Sequence, residues 1–188
     1  MRVLFACEYS GRGRQAFRSR GHDAWSCDLL PAEDGSQYHF KQDVRPLLRE
    51  RWDLVVAHPT CTRLTNSGVR WLHERNLWEE LEVAAEFFLD CLSANAERVA
   101  VENPIPHRYA LERIGRGYDQ IIHPWQFGHG ETKATCLWLK NLPKLQPTNI
   151  VEGREPKVHR MSPSPDRWKE RSRTYQGIAD AMAEQWGV

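Results

Sequence analysis

Two short segments of this 188-residue chain carry side chains whose types and settings suit chemistry. The first is Asp53-Leu54-Val55-Val56-Ala57-His58-Pro59-Thr60-Cys61, an apolar, β-branched run that ends in a proline turn and delivers a cysteine. A thiolate is intrinsically nucleophilic, and a turn at a strand end exposes it. In the second, Arg98-Val99-Ala100-Val101 runs into Glu102-Asn103-Pro104 and delivers a carboxyl group suited to giving or taking a proton. An isolated cysteine is more often a buried structural thiol. A lone Glu-Asn-Pro can equally cap a helix or pair with an arginine. The specific signal is the pair: Cys61 and Glu102 each end a strand, and one long helix separates them. Metal chemistry is not expected. His58, His107, His123, His129 and His159 stand on loop-like sequence with Cys61 and Cys136, but none shows H-x-x-x-H or C-x-x-C spacing.

The elements that must position these residues alternate. Val3 to Ala6 reads as a strand, Ser10-Gly11-Arg12-Gly13 as a turn, and Arg14 to Arg20 as a helix closed by Gly21. Ala24 to Cys27 is a second strand ending at Asp28, and Trp52 to Ala57 is a clearer one. Glu74 to Ala94 is the strongest helix, with Leu77, Leu81, Ala84, Ala85, Phe88 and Leu92 at three- and four-residue steps. Arg98 to Val101 follows as a strand, then Gln120 to Phe127 and Thr135 to Leu139 as two more. Residues 143–173 read as an extended, basic, Pro- and Ser-containing connection, and 174–186 as a closing helix with Thr174 at its N-cap. This alternation predicts one α/β domain over 1–188: a mostly parallel sheet with helices on both faces, binding its ligands beyond the carboxyl ends of the strands.

Composition narrows the classes further. Hydrophobic residues are 40% and charged residues 27%, which excludes a mostly disordered chain. No apolar run approaches the roughly 20 residues that span a bilayer, and Met1-Arg2-Val3-Leu4-Phe5 is strand-like rather than a signal peptide, so a cytoplasmic protein is expected. Five dispersed cysteines predict reduced thiols. The formal charge of +1 is weak support for nucleic-acid binding, but its distribution is uneven. From Gly153 to Arg173 seven Lys or Arg face three acids, and Arg12, Arg14, Arg18 and Arg20 crowd an early segment. Of the tryptophans, Trp71 and Trp125 follow candidate functional loops and are the ones to consider for base stacking.

The order and spacing of the turns resemble the cytosine-C5 DNA methyltransferase family. Val3-Leu4-Phe5-Ala6-Cys7-Glu8-Tyr9-Ser10-Gly11 is similar to that family's opening strand and cofactor turn, Leu-Phe-(Ser/Ala)-Gly-x-Gly-Gly, with Cys7 at the first glycine. The resemblance implies S-adenosylmethionine as cofactor, with Phe5 packing on the adenine and Ala6, Cys7, Glu8 and Gly11 forming the turn. It places Asp28, beside Leu29, on the ribose hydroxyls, where a carboxylate accepts two hydrogen bonds at once. Asp43, beside Val44, resembles the aspartate that receives the adenine amino group. The segment from Asp53 to Cys61 resembles Asp-(apolar)-Gly-Gly-Pro-Pro-Cys, with aspartate, first proline and cysteine coinciding without a gap. His58 and Pro59 are thereby placed beside the cofactor, with Cys61 as nucleophile.

Val101-Glu102-Asn103-Pro104 looks like the family's Glu-Asn-Val, which implies that Glu102 donates to N3 of the base and contacts its exocyclic amine. In that chemistry a thiolate adds at cytosine C6, and the resulting enamine attacks the methyl sulfonium. Thr62, Asn103 and Pro104 fall on the substrate side. Gln126 to Lys133 stands where the family has Gln-x-Arg-x-Arg, with Lys133 as the substitute for its arginine. Arg171 to Ala179 occupies the place of Gly-Asn-Ser-Val, which puts Arg171 and Arg173 at the substrate and lets the segment close the cofactor pocket. The sequence-reading domain that the family inserts between its later motifs finds no room. DNA is the first expectation for a partner; a pyrimidine nucleotide, single strand or RNA, and a non-catalytic binding protein, are the alternatives.

Overall fold

The computed structural model describes residues 1–165 and 167–188, and of residue 159 the backbone alone. Its strands are β1 (Arg2–Ala6), β2 (Asp23–Asp28), β3 (His39–Lys41), β4 (Trp52–Ala57), β5 (Ala96–Pro104), β6 (Gln120–Ile122) and β7 (Thr135–Lys140). They form one sheet in the order β3-β2-β1-β4-β5-β7-β6. β1 pairs in parallel with β2 and β4, and β4 with β5. β7 runs antiparallel to both of its neighbours. The chain lays β2 and β3 on one side of β1 and then crosses to β4 on the other. That reversal opens a crevice at the carboxyl ends of β1 and β4, and the two segments of interest end at β4 and at its parallel neighbour β5.

Both faces of the central strands are apolar because both are covered. Leu4, Ala6, Val55, Ala57, Val99 and Val101 face one layer, where α4 (Trp78–Leu92) contributes Leu81, Ala85 and Phe88. Val3, Phe5, Leu54, Val56 and Ala100 face the other, closed by α1 (Arg12–Arg18) and α8 (Gln176–Trp186) through Phe17, Ile178, Met182 and Trp186. The mostly parallel sheet with helices on both faces is thus as expected.

Several boundaries differ from the sequence expectation for local reasons. The helix expected from Glu74 to Ala94 is shorter, α4 running from Trp78 to Leu92: Glu74 ends a separate helix, α3 (Val69–Glu74), and Asn76 between them takes φ +51. Asparagine tolerates that left-handed conformation better than most residues. The expected strand from Gln120 ends after three residues, because Pro124 opens a 3₁₀ turn, Pro124–Gln126. The connection 143–173 includes two short helices, α6 (Lys157–Arg160) and α7 (Arg167–Ser172). Thr174 is not the N-cap of α8; Tyr175 takes that position, without a side-chain cap. The remaining helices are α2 (Arg45–Leu48) and α5 (Arg108–Ile114). No described helix is long and apolar enough to cross a membrane.

α8 docks through a glycine. A Cβ on Gly177 would lie 1.8 Å from the Phe127 carbonyl oxygen, and its N–H donates to His129 Nε2 at 3.0 Å. Gly177→Ala should therefore push α8 off this turn and cost about 1–3 kcal/mol. Thermal unfolding should show it as a midpoint lowered by roughly 2–4 °C per kcal/mol. An unchanged midpoint would contradict the close approach.

Candidate active site

The turn after β4 presents the cysteine. His58 N–H donates to the Ala6 carbonyl at 2.9 Å, which clamps the end of β4 to the end of β1. Asn103 Nδ2 donates to the Pro59 carbonyl at 3.3 Å. Leu64 and Thr65 N–H groups both return to the Cys61 carbonyl. Held from these three sides, Cys61 is half-buried and Thr62 exposed. Burial first, then the Glu102 carboxylate, pushes the Cys61 thiol above its ordinary value, while Lys133 and Arg171 pull the other way. The resting side chain is a thiol with two cations in electrostatic reach.

On one side of this turn is an open cleft of about 240 Å³, lined by Cys7, Asp28, Leu29, Asp43, Val44, Thr60 and Phe87 among others. Asp28 Oδ1 accepts the Leu30 N–H, leaving the second carboxylate oxygen to the cleft. Asp43 accepts the Arg45 N–H and pairs with its guanidinium, and Arg45 also lines the cleft. Leu29 is 73% exposed, an apolar surface that a bound planar group would cover. The set fits a nucleoside: carboxylates for hydroxyl and amino donors, flanked by an aliphatic and an aromatic wall. Asp28→Ala should weaken binding of an adenine nucleoside in this cleft about 10- to 100-fold, the equivalent of one lost charge-assisted contact. Unchanged affinity by calorimetry would remove Asp28 from that role.

Cys7 explains how the turn after β1 forms without the first glycine of the motif it resembles. It adopts φ +58, the left-handed conformation that glycine takes without cost and that costs another residue about 1–2 kcal/mol. The turn thus follows a glycine path in a cysteine's place. Gly11 has φ +74 and precedes α1. Glu8 is buried, and its Oε1 accepts from Ser10 Oγ and the Arg12 N–H, so it shapes the turn from within.

On the other side of the Cys61 turn a narrow cavity is lined by His58, Glu102, Lys133, Thr135 and the segment Ser172 to Tyr175. His58 Nδ1 and Glu102 Oε2 are 2.7 Å apart, with side chains 12% and 19% exposed. Burial opposes the Glu102 charge, but the His58 hydrogen bond and charge, Lys133 and the Thr135 hydroxyl outweigh it and hold the carboxyl below its ordinary value. Lys133 Nζ donates to the Arg171 carbonyl at 2.9 Å. Arg12 donates to the Thr174 carbonyl and Tyr9 to the Lys169 carbonyl. These bonds return the C-terminal segment to the first turn.

The structure therefore brings Cys61, Glu102, Lys133, Arg171 and His58 together, and groups Cys7, Asp28, Leu29, Asp43 and Val44 around the cleft. Other expected contacts are redirected. Phe5 is buried against Phe17 and under Gly13, on the opposite face of the sheet, because odd residues of β1 point toward α1. The aromatic residue that lines the cleft is instead Phe87 of α4, which lies off the apolar stripe that carries its core neighbour Phe88. Ala6 is wholly buried in the sheet. Pro59 is buried in the turn and lines neither space. Asn103, 1% exposed, braces that turn rather than facing a substrate, and Pro104 pairs with Thr135 in the sheet. Arg173 is engaged by Glu33 and Glu170. Trp125 stacks with His123 and has Arg154 over its ring, whereas Trp71 keeps 36% exposure beside Arg75. Among the described residues no group of three or more His, Cys, Asp or Glu could hold a metal ion.

No family model matches the chain, and no curated protein matches its sequence. Solved structures do. One is a candidate DNA modification methyltransferase encoded within an E. coli prophage, with a TM-score of 0.52 and 12% identity, covering 79% of this chain and 51% of that one. The Entamoeba histolytica methyltransferase EhMeth follows at 0.48 and 12%, with 79% and 57% covered, and the S. pombe Dnmt2 methyltransferase at 0.41 and 18%, with 74% and 48% covered. The chain spans about half the length of the prophage protein. The likeness to the prophage structure is one of fold: a Rossmann-like, mostly parallel sheet with helices on both faces.

Proposed function

We propose that this chain is an S-adenosylmethionine-dependent methyltransferase acting on C5 of cytosine in DNA through a covalent Cys61 adduct. The observation that carries the proposal is the convergence of Cys61, Glu102, Lys133 and Arg171 beside a cleft bearing Asp28 and Asp43. Support also comes from the fold and from the prophage structure's description as a candidate DNA modification enzyme.

Asp28, Asp43, Leu29 and Phe87 would hold the adenosyl part of S-adenosylmethionine, which when bound supplies an electrophilic methyl group. Cys61 Sγ, once deprotonated, bonds to C6 of the ring. Glu102 gives a proton to N3 as electron density arrives there, which makes C5 nucleophilic toward the methyl. Water then takes the C5 proton as the C6–S bond breaks and Cys61 leaves as the thiolate, and N3 returns its proton to Glu102, which restores the ring. Lys133 and Arg171 stabilise the thiolate that this sequence needs. A cytosine inside a duplex must be flipped out to reach Cys61.

Transfer of labelled methyl to duplex DNA, single-stranded DNA, RNA and free cytidine nucleotides tests the proposal. Transfer to duplex is expected. Labelling of the single strand, RNA or nucleotide alone would move the substrate to that class, and labelling of none would overturn the activity.

A further inference from the structure

The His58–Glu102 pair has an unbalanced feature. Glu102 must donate a proton to the ring, yet it is a carboxylate whose charge the surrounding groups favour. Its Oε2 is bonded to His58 Nδ1, and His58 Nε2 is buried without a hydrogen-bond partner. A buried imidazole nitrogen left unpaired is costly and calls for a role.

Resting on the function proposed above, we propose that His58 is a positioning residue that orients the Glu102 carboxyl and holds the proton Glu102 delivers to the pyrimidine. In its doubly protonated form His58 passes the Nδ1 proton to Glu102 Oε2. Glu102, now a carboxylic acid, gives that proton to N3 as the Cys61 Sγ–C6 bond forms and the ring accepts the electron pair. His58 is left neutral with Nε2–H, Glu102 is again a carboxylate, and the adduct is neutral at N3. When C5 loses its proton and Cys61 departs, the N3 proton retraces the path. The charged and polar groups around the pair are Glu8 from the turn after β1, Cys61 from its own turn, Lys133 from the approach to β7, Thr135 and Cys136 from β7 itself, and Arg171, Arg173 and Tyr175 from the C-terminal segment. Glu8 Oε2 is also buried without a hydrogen-bond partner. Burial pushes the Glu8 carboxyl above its ordinary value, against the pull of Ser10, His58, Arg14 and the Arg12 N–H.

His58→Asn separates the roles, because an amide can hold Glu102 by a hydrogen bond but cannot carry the proton. In the full-length protein with ¹³C-labelled glutamate carboxyls, the Glu102 resonance of H58N should titrate at higher pH than in the parent, once the His58 charge is gone. An unchanged titration would overturn the coupling, whatever the substrate. In labelled methyl transfer, kcat of H58N should fall about 100-fold, with the cofactor KM nearly unchanged and the alkaline limb of the parent profile abolished. A parent-like rate and pH profile would overturn the proton-holding role. If the titration moves while the parent protein methylates no cytosine substrate, the pair is coupled and it is the methyltransferase reading that fails. His58→Gln, with a longer amide, repeats the titration if H58N does not fold.

Discussion

Replacing Cys61 with serine should lower methyl transfer by a factor on the order of 10³ or more. The substitution keeps size and hydrogen-bonding capacity and removes only the thiolate. Cys61 lies in a turn fixed through its backbone by Ala6, Asn103, Leu64 and Thr65, so the fold should be indifferent to the change. Cys61 also does not line the cleft that holds Asp28 and Asp43, and adenosyl cofactor affinity should stay within about twofold of the parent. Calorimetry and single-turnover transfer together read both halves. Equal transfer by the serine variant would remove Cys61 as nucleophile, and loss of both activities would mean that the turn itself had collapsed.

Glu102→Gln is expected to cost about 10²- to 10⁴-fold in kcat, the range for a positioned acid or base. Glutamine preserves the contact with His58 Nδ1 but cannot pass on a proton. The same variant carries a stability signature. Glu102 in the fold is held below the ordinary carboxylate value, so its charge stabilises the native state above the unfolded value, about 4.3. That contribution is lost as pH falls through the depressed folded value. Denaturant midpoints of parent and variant should therefore converge on acidification below about pH 4.3. A gap that widened with acid would reverse the assignment.

The alternation of strands and helices was legible because each central strand is apolar on both faces and each is followed by a turn of Gly, Pro or acid. Cys61 and Glu102 were legible for the same reason: a reactive residue at a strand end is a break in an apolar run. Phe5 misleads because the motif fixes its place in the chain but not the face of the strand, which is set by the packing of Phe17 and Gly13. Phe87 was hidden within a helix whose periodicity reports only the core. Cys7 looked like a departure from the cofactor turn, since sequence does not disclose that a cysteine accepts φ +58 there. His58 occupies a glycine position of the resembled motif, so the pattern assigns it no acid–base role. Its partner lies 44 residues away, and only the pairing of β4 with β5 brings the two together.

Trapping the covalent adduct is the most direct measurement. The protein with S-adenosylmethionine would be incubated with 5-fluorocytosine in duplex DNA, in single-stranded DNA and as the free nucleotide, then resolved by denaturing electrophoresis and mass spectrometry. Fluorine blocks the elimination that releases the cysteine. The predicted result is a stable species with the duplex that contains the protein, the substrate and one added methyl, mapped to the Cys61 peptide and absent in Cys61→Ser. No adduct with any of the three, from protein shown by calorimetry to bind the cofactor, would contradict nucleophilic activation of a pyrimidine by Cys61.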